Sequence, residues 1–134
     1  MEQYWDPLRK KMVAATPEEK VRQWFIGILR DSIGVPEHLM MSEAALEFGQ
    51  KKYRADIMVW DRNGKALAVV ECKRPEVELS SRVLEQAMRY NAVLGVCWLF
   101  VTNGTSTYLY KNENGTFVPQ QKIPSFEEML TAAS

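Results

Sequence analysis

Asp56-Ile57-Met58-Val59-Trp60-Asp61-Arg62-Asn63-Gly64-Lys65-Ala66-Leu67-Ala68-Val69-Val70-Glu71-Cys72-Lys73 is the stretch that decides the fold. Two apolar runs flank Asn63-Gly64, and Asn-Gly favours the positive φ values of a type I′ turn. The stretch therefore predicts a tight hairpin. With Asn63 and Gly64 as the loop, Arg62 pairs with Lys65 and Asp56 falls opposite Glu71. Side chains alternate faces along a strand, so Glu71 and Lys73 share a face and Asp56 joins them across the ladder. The two carboxylates would stand about 5 Å apart at Cβ, deep in otherwise apolar strands. Like charges so placed destabilise one another, and burial raises the cost.

A divalent cation converts that liability into a site, because hard cations take carboxylate oxygens. Asp56 and Glu71 are thus the candidate metal ligands, for Mg²⁺ with Mn²⁺ as a substitute. A metal held there would polarise a phosphoryl group and lower the pKa of an attacking water. Lys73 is placed to orient that water or to stabilise developing negative charge. The competing reading is an ordinary Glu71–Lys73 ion pair on an exposed strand. Leu67, Val69 and Val70 argue against it, since they mark a central strand.

The sequence before the hairpin supplies a helix and a strand. Thr16-Pro17-Glu18-Glu19 is a helix start, with Thr16 as N-cap, Pro17 at the first position and Glu19 at the capping-box position. Val21, Trp24, Phe25, Ile28 and Leu29 then form the expected core face, and Gly34 and Pro36 end the helix. Met40–Phe48 reads as a strand. After the hairpin, Pro75 stops the chain and Ser80 or Ser81 caps a second helix, which runs to about Leu94 before Gly95. Cys97–Val101 is a short buried strand. Thr105–Tyr110 and Thr116–Pro119 flank a second Asn-Gly, at Asn114-Gly115. Pro124–Ala133 reads as a terminal helix.

The 134 residues, 46% hydrophobic and with zero net charge, suffice for one compact domain. Any nucleic-acid contact must come from a local basic patch rather than a global field. No apolar stretch approaches a bilayer span and no signal-peptide pattern opens the chain, so a cytoplasmic protein with no membrane association is expected. Cys72 and Cys97 read as reduced core residues, and a single histidine, His38, makes a zinc site improbable. No Gly-x-Ser-x-Gly is present and no second histidine, which excludes a hydrolase triad of that kind.

Helix, three-stranded meander, helix, strand is the core order of the PD-(D/E)xK nucleases, which Asp56 and Glu71-Cys72-Lys73 match, although Arg54-Ala55 replaces the usual proline before the aspartate. Pro17–Gln23, Ser42-Glu43, Tyr53–Asp56, Val70–Pro75, Gln86–Asn91 and Thr102–Gly104 together resemble the N-terminal nuclease domain of type I restriction enzyme R subunits. The resemblance covers roughly residues 14–110. It implies a restriction-endonuclease-like α/β fold, a mixed central sheet flanked by helices with a C-terminal hairpin. It also implies a Mg²⁺-dependent DNA endonuclease domain, with motor or specificity subunits as partners. The chain shows no Walker A sequence of its own.

The same resemblance puts Glu43 at the family's first-strand Glu position, as a third metal ligand or a solvated carboxylate. Glu19 corresponds to a first-helix Glu that related nucleases bring to the metal, yet a helix-capping role explains it fully. Gln86 and Tyr90 match a Gln-x-x-x-Tyr element and share a helix face with Arg82 and Arg89. With Arg54 and Lys52 these form the candidate DNA-binding set. The expected organisation is a single nuclease-like domain over 1–134: lead-in segment 1–15, core 16–110, C-terminal hairpin strand and helix 111–134. Rival readings are a nucleic-acid-binding or assembly module with this fold but no independent activity. A homodimer is compatible with either.

Overall fold

Asp6-Pro7 opens a turn that the lead-in reading overlooks. In the structure, a computed structural model describing residues 1–133, β1 (Gln3–Asp6) and β2 (Lys11–Ala14) form an antiparallel hairpin. The Asp6 side chain organises the turn by accepting from the Leu8 N–H at 2.7 Å and the Arg9 N–H at 3.1 Å. The segment ahead of α1 is thus a folded hairpin. Val13 is buried and Trp5 is 57% exposed.

The first helix, α1 (Pro17–Gly27), begins as predicted, with Thr16 Oγ1 accepting from the Glu19 N–H at 3.1 Å. The reciprocal half of a capping box is not made. The Thr16 N–H donates to the Ala14 carbonyl, while the Glu19 carboxylate turns to Arg9 and Arg22. Losing the one capping bond in Thr16→Ala should cost about 1 kcal/mol, read as a lower urea midpoint at unchanged slope. A π-helical stretch over Ile28–Ile33 follows, and Gly34, at φ +90°, ends it. The buried stripe is Val21, Arg22, Phe25, Ile26 and Leu29, while Trp24 is 45% exposed. The helix is rotated from its expected face because Arg22, rather than Trp24, is drawn inward by buried carboxylates.

Six strands make one sheet, in the order β3 (Met40–Phe48), β4 (Lys51–Trp60), β5 (Ala66–Cys72), β6 (Trp98–Thr102), β7 (Thr107–Glu113), β8 (Thr116–Gln120). The β5–β6 pair is parallel and all others are antiparallel. That parallel pair requires a crossover, which α2 (Ser81–Asn91) supplies. Residues of α1 and of the terminal α3 (Phe126–Ala133) share a core with one sheet face through Phe25, Ile57, Val70, Phe100 and Met129. Leu84 and Ala87 of α2 share a second core with the other face through Met58, Val69, Leu99 and Val101. The mixed sheet flanked by helices is thus as expected. Among the described residues no helix is long and apolar enough to cross a membrane.

The two Asn-Gly turns behave differently. Asn114 and Gly115 both adopt positive φ, +54° and +90°, and Glu113 pairs with Thr116 across a two-residue loop. Asn63 does not adopt positive φ; only Gly64 does, at +82°. Asp61 decides this. Its Oδ1 accepts from the Asn63 and Lys65 N–H groups, both at 2.8 Å, and Asp61 rather than Arg62 bonds to Lys65. An Asx turn has displaced the type I′ turn.

The resulting one-residue offset does not reach the far end of the hairpin. Trp60 pairs with Ala66 but Val59 pairs with Ala68, so Leu67 is an extra residue on β5. Leu67 and Ala68, consecutive in sequence, both face the α1 core, as a β-bulge dictates. Ile57 then pairs with Val70, the register that leads to Asp56 and Glu71.

Candidate active site

A second interruption of the pleat places Asp56. Residues 55 and 57 of a regular strand share a face. Here Ala55 packs in the α2 core and Ile57 in the α1 core. The neighbouring strand breaks at the same rung. Ala44, the partner of Ala55, faces the α2 core, whereas Ser42, the partner of Ile57, bonds to Asp6 of the N-terminal hairpin at 3.0 Å. Between them Glu43 sits at φ +50°, a left-handed conformation that costs energy for a residue with a Cβ. Asp56 therefore emerges where the sheet switches faces, within reach of both flanking helices.

Its two oxygens are held differently. Oδ2 accepts from the Cys72 N–H at 2.7 Å, and Oδ1 lies 3.2 Å from Arg22 Nη2. Burial pushes the Asp56 carboxyl above its usual pKa; the Cys72 amide and the Arg22 guanidinium pull it down without offsetting that cost, and the charge on Glu71 adds to the rise. On β5, Glu71 projects toward α2, where Asn91 Nδ2 donates to its Oε1 at 3.1 Å. Lys73 Nζ lies 3.1 Å from Glu71 Oε2. Asp56, Glu71 and Lys73 line one open cavity of about 390 Å³, together with Arg54, Gln86 and Tyr90. The sequence-derived trio and the helix pair thus meet.

Glu18 also lines this cavity, and Glu19 does not. Burial, then the charge on Asp56, raises the Glu18 carboxyl's pKa. Glu19 is instead part of a buried ionic cluster around Arg22, which is only 5% exposed at its side chain. Arg22 lies 2.7 Å from Glu19, 3.2 Å from Asp56, 3.5 Å from Glu43 and 3.8 Å from Glu18. Its Nε is buried and has no acceptor among the described residues. Arg9 extends the cluster, bonding Glu19 Oε1 at 2.7 Å and pairing with Asp6 and with Glu43 at 3.4 Å. Glu43 lines a neighbouring cavity with Arg9 and Glu19, outside the Asp56–Glu71 cleft. Its expected place beside Asp56 is lost because the pleat break turns it toward the two arginines.

The basic candidates divide. Arg54 is in the cleft, and Tyr90 Oη accepts from the Arg54 N–H at 3.0 Å. Lys52 and Arg89 line an adjoining hollow that shares Gln86 and Tyr90 with the cleft. Arg82, exposed in the first turn of α2, lines neither. Sequence reasoning missed Arg22 and Glu18 as site residues. Their four-residue spacing, which puts a cation above an anion on one helix face, was the available signal.

The donor set suits a hard divalent cation. Among the described residues no three Asp, Glu, His or Cys side chains converge into a ready cage. Two carboxylates with room for water match Mg²⁺, which keeps several waters and binds through one or two carboxylates plus substrate phosphate.

Two solved structures share the fold. A fragment of a "putative HsdR subunit of a type I restriction enzyme" from Vibrio vulnificus YJ016 superposes with a TM-score of 0.65 at 18% identity, covering 90% of this chain. The chain spans only 26% of that protein. A "putative nuclease belonging to DUF820" from Anabaena variabilis ATCC 29413 gives a TM-score of 0.53 at 11% identity, covering 96% of this chain and 84% of that one. No curated protein matches. The family model for the type I restriction enzyme R protein N terminus matches residues 17–124, from the first residue of α1 through the whole of the six-stranded sheet, and the chain belongs to that family.

Proposed function

We propose that this chain is a Mg²⁺-dependent DNA endonuclease domain of the PD-(D/E)xK type. The observation that carries the reading is the convergence of Asp56, Glu71 and Lys73 in one cleft with Gln86 and Tyr90. Asp56 and Glu71 would hold the metal, with Mn²⁺ as a substitute, and the bound ion would supply Lewis-acid activation of phosphate and water. The Cys72 amide holds Oδ2 of Asp56 and Asn91 holds Oε1 of Glu71, while Arg22 and Lys73 pair with the other oxygen of each, so loading would replace those two contacts with the metal. Lys73 places a cation where charge develops on the phosphate oxygens. Gln86 and Tyr90 border the cleft from α2 and position the strand. In a longer R subunit the domain would act beside motor and specificity subunits.

The test is cleavage of supercoiled and linear DNA with Mg²⁺, with Mn²⁺ and with chelator. Cutting is expected only with metal. Lys73→Ala should lower the rate about 10²–10³-fold. Gln86→Ala should weaken DNA binding or cutting while shifting stability by no more than about 0.5 kcal/mol. Cutting that persists in chelator, or that Lys73→Ala leaves unchanged, overturns the reading. One observation favours a second reading, a DNA-binding module without turnover: Arg22 and Lys73 already neutralise the two carboxylates. That reading expects DNA binding with no cutting under any metal.

A further inference from the structure

The turn between β3 and β4 carries a set of side chains that the catalytic reading leaves unused. Phe48 pairs with Lys51 across the two-residue loop Gly49-Gln50. The Phe48 ring meets Tyr53 edge-on, with centroids 6.1 Å apart at 81°, and Tyr53 meets Tyr90 at 5.4 Å and 60°. An edge-to-face or tilted contact covers at most one face of a ring, so Phe48 and Tyr90, each in one such contact, keep a face free of it. Phe48 is 44% exposed and Tyr90 43%, so the series ends in solvent at one side and in the cleft at the other. Lys51, Lys52 and Arg89, all exposed, line one hollow with Tyr53 and Tyr90, and Phe48 stands at its edge as the strand partner of Lys51. The hollow they line, about 580 Å³, shares Gln86 and Tyr90 with the Asp56–Glu71 cavity.

We propose that Phe48, Tyr53 and Tyr90 form a stacking ledge for unpaired nucleotides of a DNA strand that runs from Lys51 and Lys52 into the cleft. The proposal rests on the nuclease reading for the identity of the strand, and it names the substrate form: DNA with a single-stranded stretch beside the cut. Charge and ring chemistry select this occupant together. The lysines and Arg89 match phosphates, as they would for any nucleic acid. The rings need an open base face, and a base inside a duplex has both faces covered by its neighbours. Successive bases stacking on aromatic side chains along a basic groove is how single strands are held without sequence preference.

The experiment measures anisotropy of labelled oligothymidylate and of a labelled duplex of equal length, in chelator, on the whole chain. Wild type should bind the single strand more tightly. Phe48→Ala and Phe48→Leu should each weaken that binding about tenfold, with under a twofold change on the duplex. Phe48→Trp should restore it, since Leu keeps apolar bulk without a π face and Trp regains one. Lys51→Gln with Lys52→Gln should weaken both forms and flatten the salt dependence. Equal losses on both forms, an unchanged single-strand affinity in Phe48→Leu, or no binding of either form overturns the ledge. So does a shift in sedimentation caused by Phe48→Ala without any effect on DNA, which would make the rings a contact between copies. Cutting assays on the same proteins separate the two proposals. Ledge-dependent binding without cutting removes the nuclease and keeps the ledge; cutting with ledge-indifferent binding does the reverse.

Discussion

Asp56→Asn is expected to abolish metal-dependent DNA cutting and, in the absence of metal, to raise the melting temperature at neutral pH. The two effects share one cause. Asp56 is a carboxylate held largely out of water, and that desolvation is what lifts its pKa. An acid whose pKa is higher in the folded protein than in the unfolded chain favours folding in its protonated form. That contribution is fully present below the unfolded value, 3.8 for Asp56, and is lost as pH rises through the folded value. At neutral pH the ionised group therefore costs stability in the metal-free protein. Asparagine removes the charge and keeps an oxygen to accept from the Cys72 N–H, and Arg22, which loses Asp56 as an acceptor, keeps the carboxylates of Glu19 and Glu43. Asp56→Ala would strand that N–H at a cost of about 1–3 kcal/mol, so it should show the same catalytic loss without the gain.

Melting curves across pH and metal concentration test this. The difference between Asp56→Asn and wild type should be largest near neutrality and shrink on acidification. Wild type should gain about 2.7 kcal/mol at a metal concentration 100 times Kd, and the Asn variant nothing. An undiminished metal shift in the variant would remove Asp56 from the ligand set. From the sequence, crowding by Glu71 is the expected source of the metal-free cost. In the structure burial is the largest cause and the charge on Glu71 a small one, because Glu71 is turned toward Asn91 and Lys73.

The Asp56–Glu71 register is legible in the sequence through a turn that does not form. Asn63-Gly64 predicts a type I′ loop, and Asp61 forms an Asx turn instead. The bulge at Leu67 then restores the register. Hydrophobic patterning is the stronger constraint: Val69 and Val70 must face opposite cores, and the strand accommodates the turn by adding one residue. Local turn chemistry is readable at Asn114-Gly115, where Asn112 Oδ1 accepts from the Gly115 N–H at 2.8 Å and the two-residue loop is kept. The pleat break at Asp56 is not readable, since no residue type announces it. Glu43 at positive φ has no Gly or Asn to mark it. The N-terminal hairpin escapes for another reason. Its key contact joins Asp6 to Ser42, two residues far apart in sequence, and periodicity has no access to such pairs.

Arg22 illustrates the same limit on the first helix, and its removal should cost more stability than any other polar substitution in or beside the cleft. Periodicity assigns that helix stripe to apolar residues, yet the side chain at its centre is a guanidinium among four carboxylates. Glu19 is as buried as Arg22 and accepts from it at 2.7 Å, so neither charge has water to fall back on. Arg22→Met keeps most of the volume and removes the cation. Among the described residues Glu19 would retain Arg9 and Gln23 as side-chain partners, and Asp56 the Cys72 amide. Taking one partner from a buried ion pair costs about 3–5 kcal/mol, which for a domain of this size is a large share of the total. A packing effect of the substitution would be indifferent to the charge on Glu19. A charge effect is not: Glu19→Gln combined with Arg22→Met should be more stable than Arg22→Met alone, because a neutral amide leaves no stranded anion. Urea unfolding of the two single variants and the double variant measures that coupling. If the double variant is less stable than Arg22→Met, the cluster is held by packing, and the arginine is not the cation that lets a carboxylate as buried as Asp56 stay ionised beside an incoming metal.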